Sequence, residues 1–142
     1  MSECVFCDLV VGEGEASVVF EDERTVALMD LHPVNPGHVL LIPRRHAAAL
    51  ADLDEETGAH VFRLAMRMQQ AIRGSGVRCE GINVFVADGE AAGQDVFHFH
   101  LHVIPRFDGD PFTIEADWRE AARPELDRVA ADIRTSYEAL WR

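Results

Sequence analysis

The sequence predicts an α+β fold built around an antiparallel sheet of about five strands, with a central helix and a C-terminal helix. Three observations carry this expectation. Short β-branched and apolar segments are grouped before and after one helix-periodic segment, without the regular βαβ alternation of a parallel sheet. A second helical pattern follows Pro124. With 142 residues, 48% of them hydrophobic, the chain is long enough for one compact core and too short for two ordinary domains.

Ser17–Phe20 and Thr25–Leu31 read as a hairpin, because apolar and β-branched residues flank the polar turn Glu21-Asp22-Glu23-Arg24. Pro36-Gly37 then turns the chain into a third strand, His38–Ile42, stopped by Pro43. Asp54 is placed to cap a helix that carries Glu55 and Glu56 in its first turn. Val61, Leu64, Ala65, Met68 and Ile72 follow at helical spacing, with Gly74 as the stop. Ile82–Val86 and Phe97–Ile104 are two further strands, separated by the small-residue segment Ala87–Gln94. The last helix, within about 120–140, starts near Pro124 and carries the stripe Leu126, Val129, Ala130, Ile133, Tyr137 and Leu140. The expectation is a single domain over 1–142.

Charge narrows the function. A formal net charge of -12 argues against broad contact with nucleic acid, whose affinity comes from Lys and Arg displacing counterions. All 13 basic residues are arginine, so Arg44, Arg45 and Arg106 are expected to form a local positive rim for a small phosphate ligand. The first residues carry acids and lack a long apolar run, unlike a signal peptide, and no segment approaches the roughly 20 apolar residues of a membrane span. A cytoplasmic, membrane-free protein is expected. Three cysteines cannot all pair within one chain, and Cys4-x-x-Cys7 in a reducing compartment reads as a metal or redox device. Cys79 reads as an ordinary core or surface cysteine.

Of the 7 histidines, His98, His100 and His102 alternate along one predicted strand. Period two puts the three imidazoles on one face and Phe97, Phe99, Leu101 and Val103 on the other. A lone histidine is most often structural, and His32 and His60 are read that way. Three in register offer little core stability and need partners or water. Two chemistries fit: a catalytic zinc carrying an activated water, or an imidazole that attacks phosphorus and forms a phospho-histidine.

The run His98-Phe99-His100-Leu101-His102-Val103-Ile104 resembles the motif of the histidine triad family. So do Gly93-Gln94 and Pro105-Arg106 around it, Asp30-Leu31-His32-Pro33, Pro36-Gly37-His38, and Ile42-Pro43-Arg44-Arg45-His46. The similarity spans about residues 4–112. It implies a HIT-like fold, a homodimer, and a nucleotide hydrolase or nucleotidyl transferase without a redox cofactor. Such an enzyme acts on the α-phosphate of purine nucleotide derivatives, either dinucleoside polyphosphates or nucleoside phosphoramidates. Carried over by position, His100 is the nucleophile, His102 contacts the phosphate and leaving group, and His38 supports them. Asp30 takes the ribose hydroxyls, while Val5, Phe6 and Leu31 build the base pocket. Gly93, Gln94, Asp95 and Val96 belong to the phosphate-side nucleotide-binding segment.

The same resemblance, to bacterial-type members, implies a structural zinc held by Cys4, Cys7, His46 and His98. Two thiolates and two imidazoles close a tetrahedral site and take His98 out of catalysis. Two positions depart from the family pattern. Ala87 stands where an amide side chain is usual, and Asp95 where Ser or Thr is common. The rival readings are a non-catalytic nucleotide-binding or interaction protein, and a metalloenzyme that uses the triad as ligands.

Overall fold

The computed structural model of the protein describes residues 3–141. Five strands form one antiparallel sheet: β1 (Val18–Glu21), β2 (Thr25–Met29), β3 (Val39–Pro43), β4 (Gly81–Phe85) and β5 (Leu101–Arg106), in the order β1-β2-β3-β5-β4. The α+β expectation holds. The chain divides into two compact units, with the boundary between Phe112 and Thr113.

Alternation along the strands gives the sheet two working faces. Ala27, Val39, Leu41, Leu101 and Val103 form one buried cluster with Val61, Leu64, Ala65, Met68 and Ile72 of α2 (Glu55–Gly74). Asp54 caps α2 as expected, accepting a hydrogen bond from the Thr57 amide at 3.0 Å. On the opposite face Val26, Leu28, Leu40 and Ile42 pack with Phe6 and Val10 of a short helix, α1 (Val5–Val10). The sequence reading missed α1, because 6 residues are too few to show a helical period. Its start is local: the Cys4 sulfur accepts from the Cys7 amide at 3.4 Å.

Among the strand boundaries that shift, two build the site. β2 ends at Met29 rather than Leu31, because the chain turns at Asp30, whose carboxylate accepts the His32 amide at 2.9 Å. β5 begins at Leu101 rather than Phe97. Leu41 pairs with Leu101, so the next ladder positions would set Pro43 opposite Phe99, and proline has no N–H to give. The Phe99 amide bonds the Ala47 carbonyl instead, at 2.7 Å, and His98, at the end of a bend, and His100 lie just ahead of the strand. Phe99, Leu101 and Val103 are buried as expected, whereas Phe97 is 50% exposed.

In the second unit, α3 (Arg123–Trp141) starts one residue before Pro124, and its stripe of Leu126, Val129, Ile133, Tyr137 and Leu140 is exposed. Among the described residues no helix is long and apolar enough to cross a membrane.

Candidate active site and metal centre

Hydrogen-bond partners fix which ring atoms of the histidines are available. His100 Nδ1 lies 2.8 Å from the His98 carbonyl oxygen. A carbonyl only accepts, so Nδ1 carries the proton and the neutral ring keeps its lone pair on Nε2. Phe6 packs edge-on against this ring, with centroids 4.9 Å apart and planes at 87°. His100 is 6% exposed and lines a cleft.

His38, 3% exposed, continues the same logic. Its Nδ1 accepts the Val34 amide at 3.1 Å, so its own proton sits on Nε2, 2.8 Å from His102 Nδ1. His102 therefore accepts at Nδ1 and carries its proton on Nε2. Burial lowers the pKa of His38, with the Asp30 charge opposing. His102 is pushed down to about 4 by burial first and then by the His100 and His38 imidazoles, against the opposing charges of Asp30 and Asp95. Both rings are neutral at pH 7. Asp30 Oδ2 stands 3.4 Å from His38 Nε2 and 4.0 Å from His102 Nδ1, placed to favour a proton on the pair.

His100 and His102 open onto a cleft of about 970 Å³ on the α1 side of the sheet. Val5, Phe6, Asp30, Leu31, Asp95 and Val96, all expected at a nucleotide site, line it together with His100 and His102. Leu9, Leu28 and Leu40 extend its apolar wall, and His32 sits at its edge. The sequence reading missed these four. The alternation of β2 and β3 pointed to Leu28 and Leu40, but nothing local placed α1 over them.

Gly93 and Gln94, also expected at the nucleotide site, are not among the residues that line the cleft. The Gly93 amide donates to Glu90 at 2.9 Å and the Gln94 amide to Gly89 at 3.1 Å, so both are used within the loop. The Gln94 side chain accepts from the Gly89 amide at 2.8 Å and donates to the carbonyls of Ala48 and Val96 at 2.7 and 3.1 Å. It pins the loop behind Asp95 and Val96. Gly93 has φ +89°, a conformation that favours glycine. Ala87 is half-buried and lies outside the cleft lining.

The expected arginine rim does not form at this cleft, whose lining includes none of Arg44, Arg45 and Arg106. Arg44 instead donates to the carbonyls of Asp22 and Val10 and to Glu21. Arg106 pairs with Asp110 and donates to Asn83 at 2.6 Å and to the Phe112 carbonyl at 2.6 Å. Arg45 lies in a separate groove with Arg24 and Asp54. Partly buried carbonyls and carboxylates claim Arg44 and Arg106 more strongly than an open cleft does. Of the remaining histidines, His60 bonds Asp22 at 2.7 Å, as a structural residue does. Cys79 is half-buried against the α2 cluster, and its thiol donates to the Gly81 carbonyl.

Cys4, Cys7, His46 and His98 converge with all ligand atoms within 4.8 Å of one another. Cys4 Sγ is 3.4 Å from His98 Nδ1, and Cys7 Sγ is 3.3 Å from His46 Nδ1 and 3.5 Å from His98 Nδ1. Zinc bonded tetrahedrally to sulfur and nitrogen at ordinary lengths separates them by about 3.6 Å. His98 Nε2 donates to the Pro43 carbonyl at 2.7 Å, which leaves Nδ1 unprotonated toward the thiols. Burial, reinforced by the neighbouring Cys4, raises the pKa of the Cys7 thiol. The residues fit zinc.

Asp30, His38 and His102 also lie close enough to suggest a metal. The hydrogen bonds argue against one. A cation would need the Nε2 lone pair of His38, yet the Val34 amide occupies Nδ1 and keeps the proton on Nε2.

The chain belongs to the histidine triad family: the HIT domain matches residues 11–109. It is similar to an uncharacterised HIT-like protein of Borreliella burgdorferi, 37% identical over 113 residues that span 79% of this chain and 81% of the relative. A HIT family protein from Bacillus anthracis superposes with a TM-score of 0.84 at 35% identity, covering 95% of this chain and 97% of that one. A zinc-bound histidine triad family protein from Mycobacterium smegmatis does so with a TM-score of 0.74 at 36% identity, covering 97% of each.

Proposed function

We infer that this chain is a single-domain, cytoplasmic, homodimeric nucleotide hydrolase or nucleotidyl transferase that works through a nucleotidyl-histidine intermediate on His100. The observation that carries the reading is the hydrogen bond from His100 Nδ1–H to the His98 carbonyl, which leaves the lone pair on Nε2 of a ring that lines the cleft. The apolar wall of Phe6, Leu28 and Leu40 suits a purine base, and Asp30 suits the ribose hydroxyls. A structural zinc on Cys4, Cys7, His46 and His98 ties α1, and with it the base pocket, to the segment that bears the nucleophile. Zinc there supplies no open position and acts on stability.

The His38–His102 pair handles the proton. As the anionic phosphate binds, the pair takes up a proton, with Asp30 facing the second N–H. His102 Nε2 gives a proton to the departing group while His100 Nε2 bonds phosphorus. Water then cleaves the phospho-histidine, its hydroxyl going to phosphorus and its proton returning to His102. A nucleotide labelled at the α-phosphate should leave acid-labile label on the peptide containing His100 after rapid quenching. The folded His100→Ala protein should show no label and at least a thousandfold lower kcat/KM. Turnover within about tenfold of the parent, or binding with no covalent label, would overturn the mechanism; the latter result would favour a non-catalytic nucleotide-binding protein.

A further inference from the structure

The charge lining the cleft bears on which group departs from phosphorus. Among residues 3–112, Asp8, Glu13, Glu15, Asp30 and Asp95 contribute carboxylates to the lining and no arginine does, and the chain contains no lysine. Sites that hold polyphosphate tails neutralise them with Arg, Lys or a divalent cation. Here Arg44 and Arg106 are committed to carbonyl and carboxylate partners outside the cleft. Asp30 is also engaged, through the His32 amide and the histidine pair. Asp95 differs: it is exposed, makes no hydrogen bond or ion pair among the described residues, and is near enough to His102 for its charge to favour that ring's protonated form.

A group leaving from phosphorus held between His100 and His102 thus departs past a free carboxylate. Resting on the function proposed above, we propose that Asp95 determines leaving-group specificity, selecting nucleoside monophosphate derivatives whose leaving group is an amine bearing a second, positively charged ammonium. Dinucleoside polyphosphates are then disfavoured, because their leaving group is polyanionic. The chemistry balances within the same site. The His100 Nε2–P bond forms as the P–N bond breaks, and the amine nitrogen keeps the bonding pair and takes a proton from His102. Water hydrolyses the Nε2–P bond and returns that proton.

Three adenosine 5′-phosphoramidates test the assignment, with N-(2-aminoethyl), N-propyl and N-(2-carboxyethyl) leaving groups, alongside diadenosine tetraphosphate. The parent should prefer the ammonium substrate over the carboxylate one by about tenfold or more in kcat/KM, and Asp95→Asn should bring that ratio toward one. Asp95 is exposed without a hydrogen-bond partner, so Asp95→Asn should keep the parent's melting temperature. Equilibrium binding of the same ligands to His100→Ala protein gives a readout independent of chemistry. A binding ratio that follows charge and collapses on Asp95→Asn supports the specificity, even if no histidine adduct ever forms; that combination would sink only the catalytic reading. A ratio that Asp95→Asn does not change, or a parent that prefers diadenosine tetraphosphate, overturns the proposal.

Discussion

Replacing Gln94 by alanine should cost stability, because this side chain is an internal pin. It is 6% exposed and makes three hydrogen bonds, to the Gly89 amide and to the Ala48 and Val96 carbonyls. Each such bond contributes about 0.5–1.5 kcal/mol net, and alanine leaves one donor and two acceptors without these partners. Water reaching part of the vacated space offsets some of the loss, so about 2–4 kcal/mol is expected. For a domain of this size that corresponds to a drop of roughly 6–14 °C in Tm, read by calorimetry with zinc present. The loop carrying Asp95 and Val96 should loosen at the same time, so nucleotide affinity should fall along with stability. A Tm within about 2 °C of the parent together with a tenfold loss of nucleotide affinity would refute this reasoning and mark Gln94 as a phosphate contact.

Protein purified without added metal should hold one zinc per chain by elemental analysis. Cys4→Ser with Cys7→Ser should remove it and lower Tm, and unchanged metal content and Tm would rule the site out. The pH dependence of stability follows from His102, held near 4 in the fold against an ordinary 6.5. Between those values the unfolded chain binds a proton that the native ring refuses, so the contribution is complete above about pH 6.5 and is lost as pH falls toward 4. The Tm of the parent should therefore decline over that window more steeply than that of His102→Asn, and parallel profiles would show that the buried ring does not titrate as described.

Much of this protein was legible along the chain, wherever a short-range rule decides the outcome. The helical period from Val61 to Ile72 set α2 and its buried face. The period-two run from Phe99 to Val103 set which side chains enter the core. The triad spacing, with Asp30, His38 and His46 around it, identified the family. Cys4-x-x-Cys7 was readable as half of a metal site. Only the tertiary structure decided what depends on partners distant in sequence. The missing N–H of Pro43 ends the β3–β5 ladder at Leu101 and frees His98 and His100 from it. Val34 and the His98 carbonyl choose the tautomers, and thereby which nitrogen keeps its lone pair. Asp22, Val10 and Asp110 draw Arg44 and Arg106 away from the place their position suggested. A sequence states which donors and acceptors exist. Which donor meets which acceptor is settled when the sheet, α1 and the loops close on one another, since each buried polar group takes the partner that best repays its lost water.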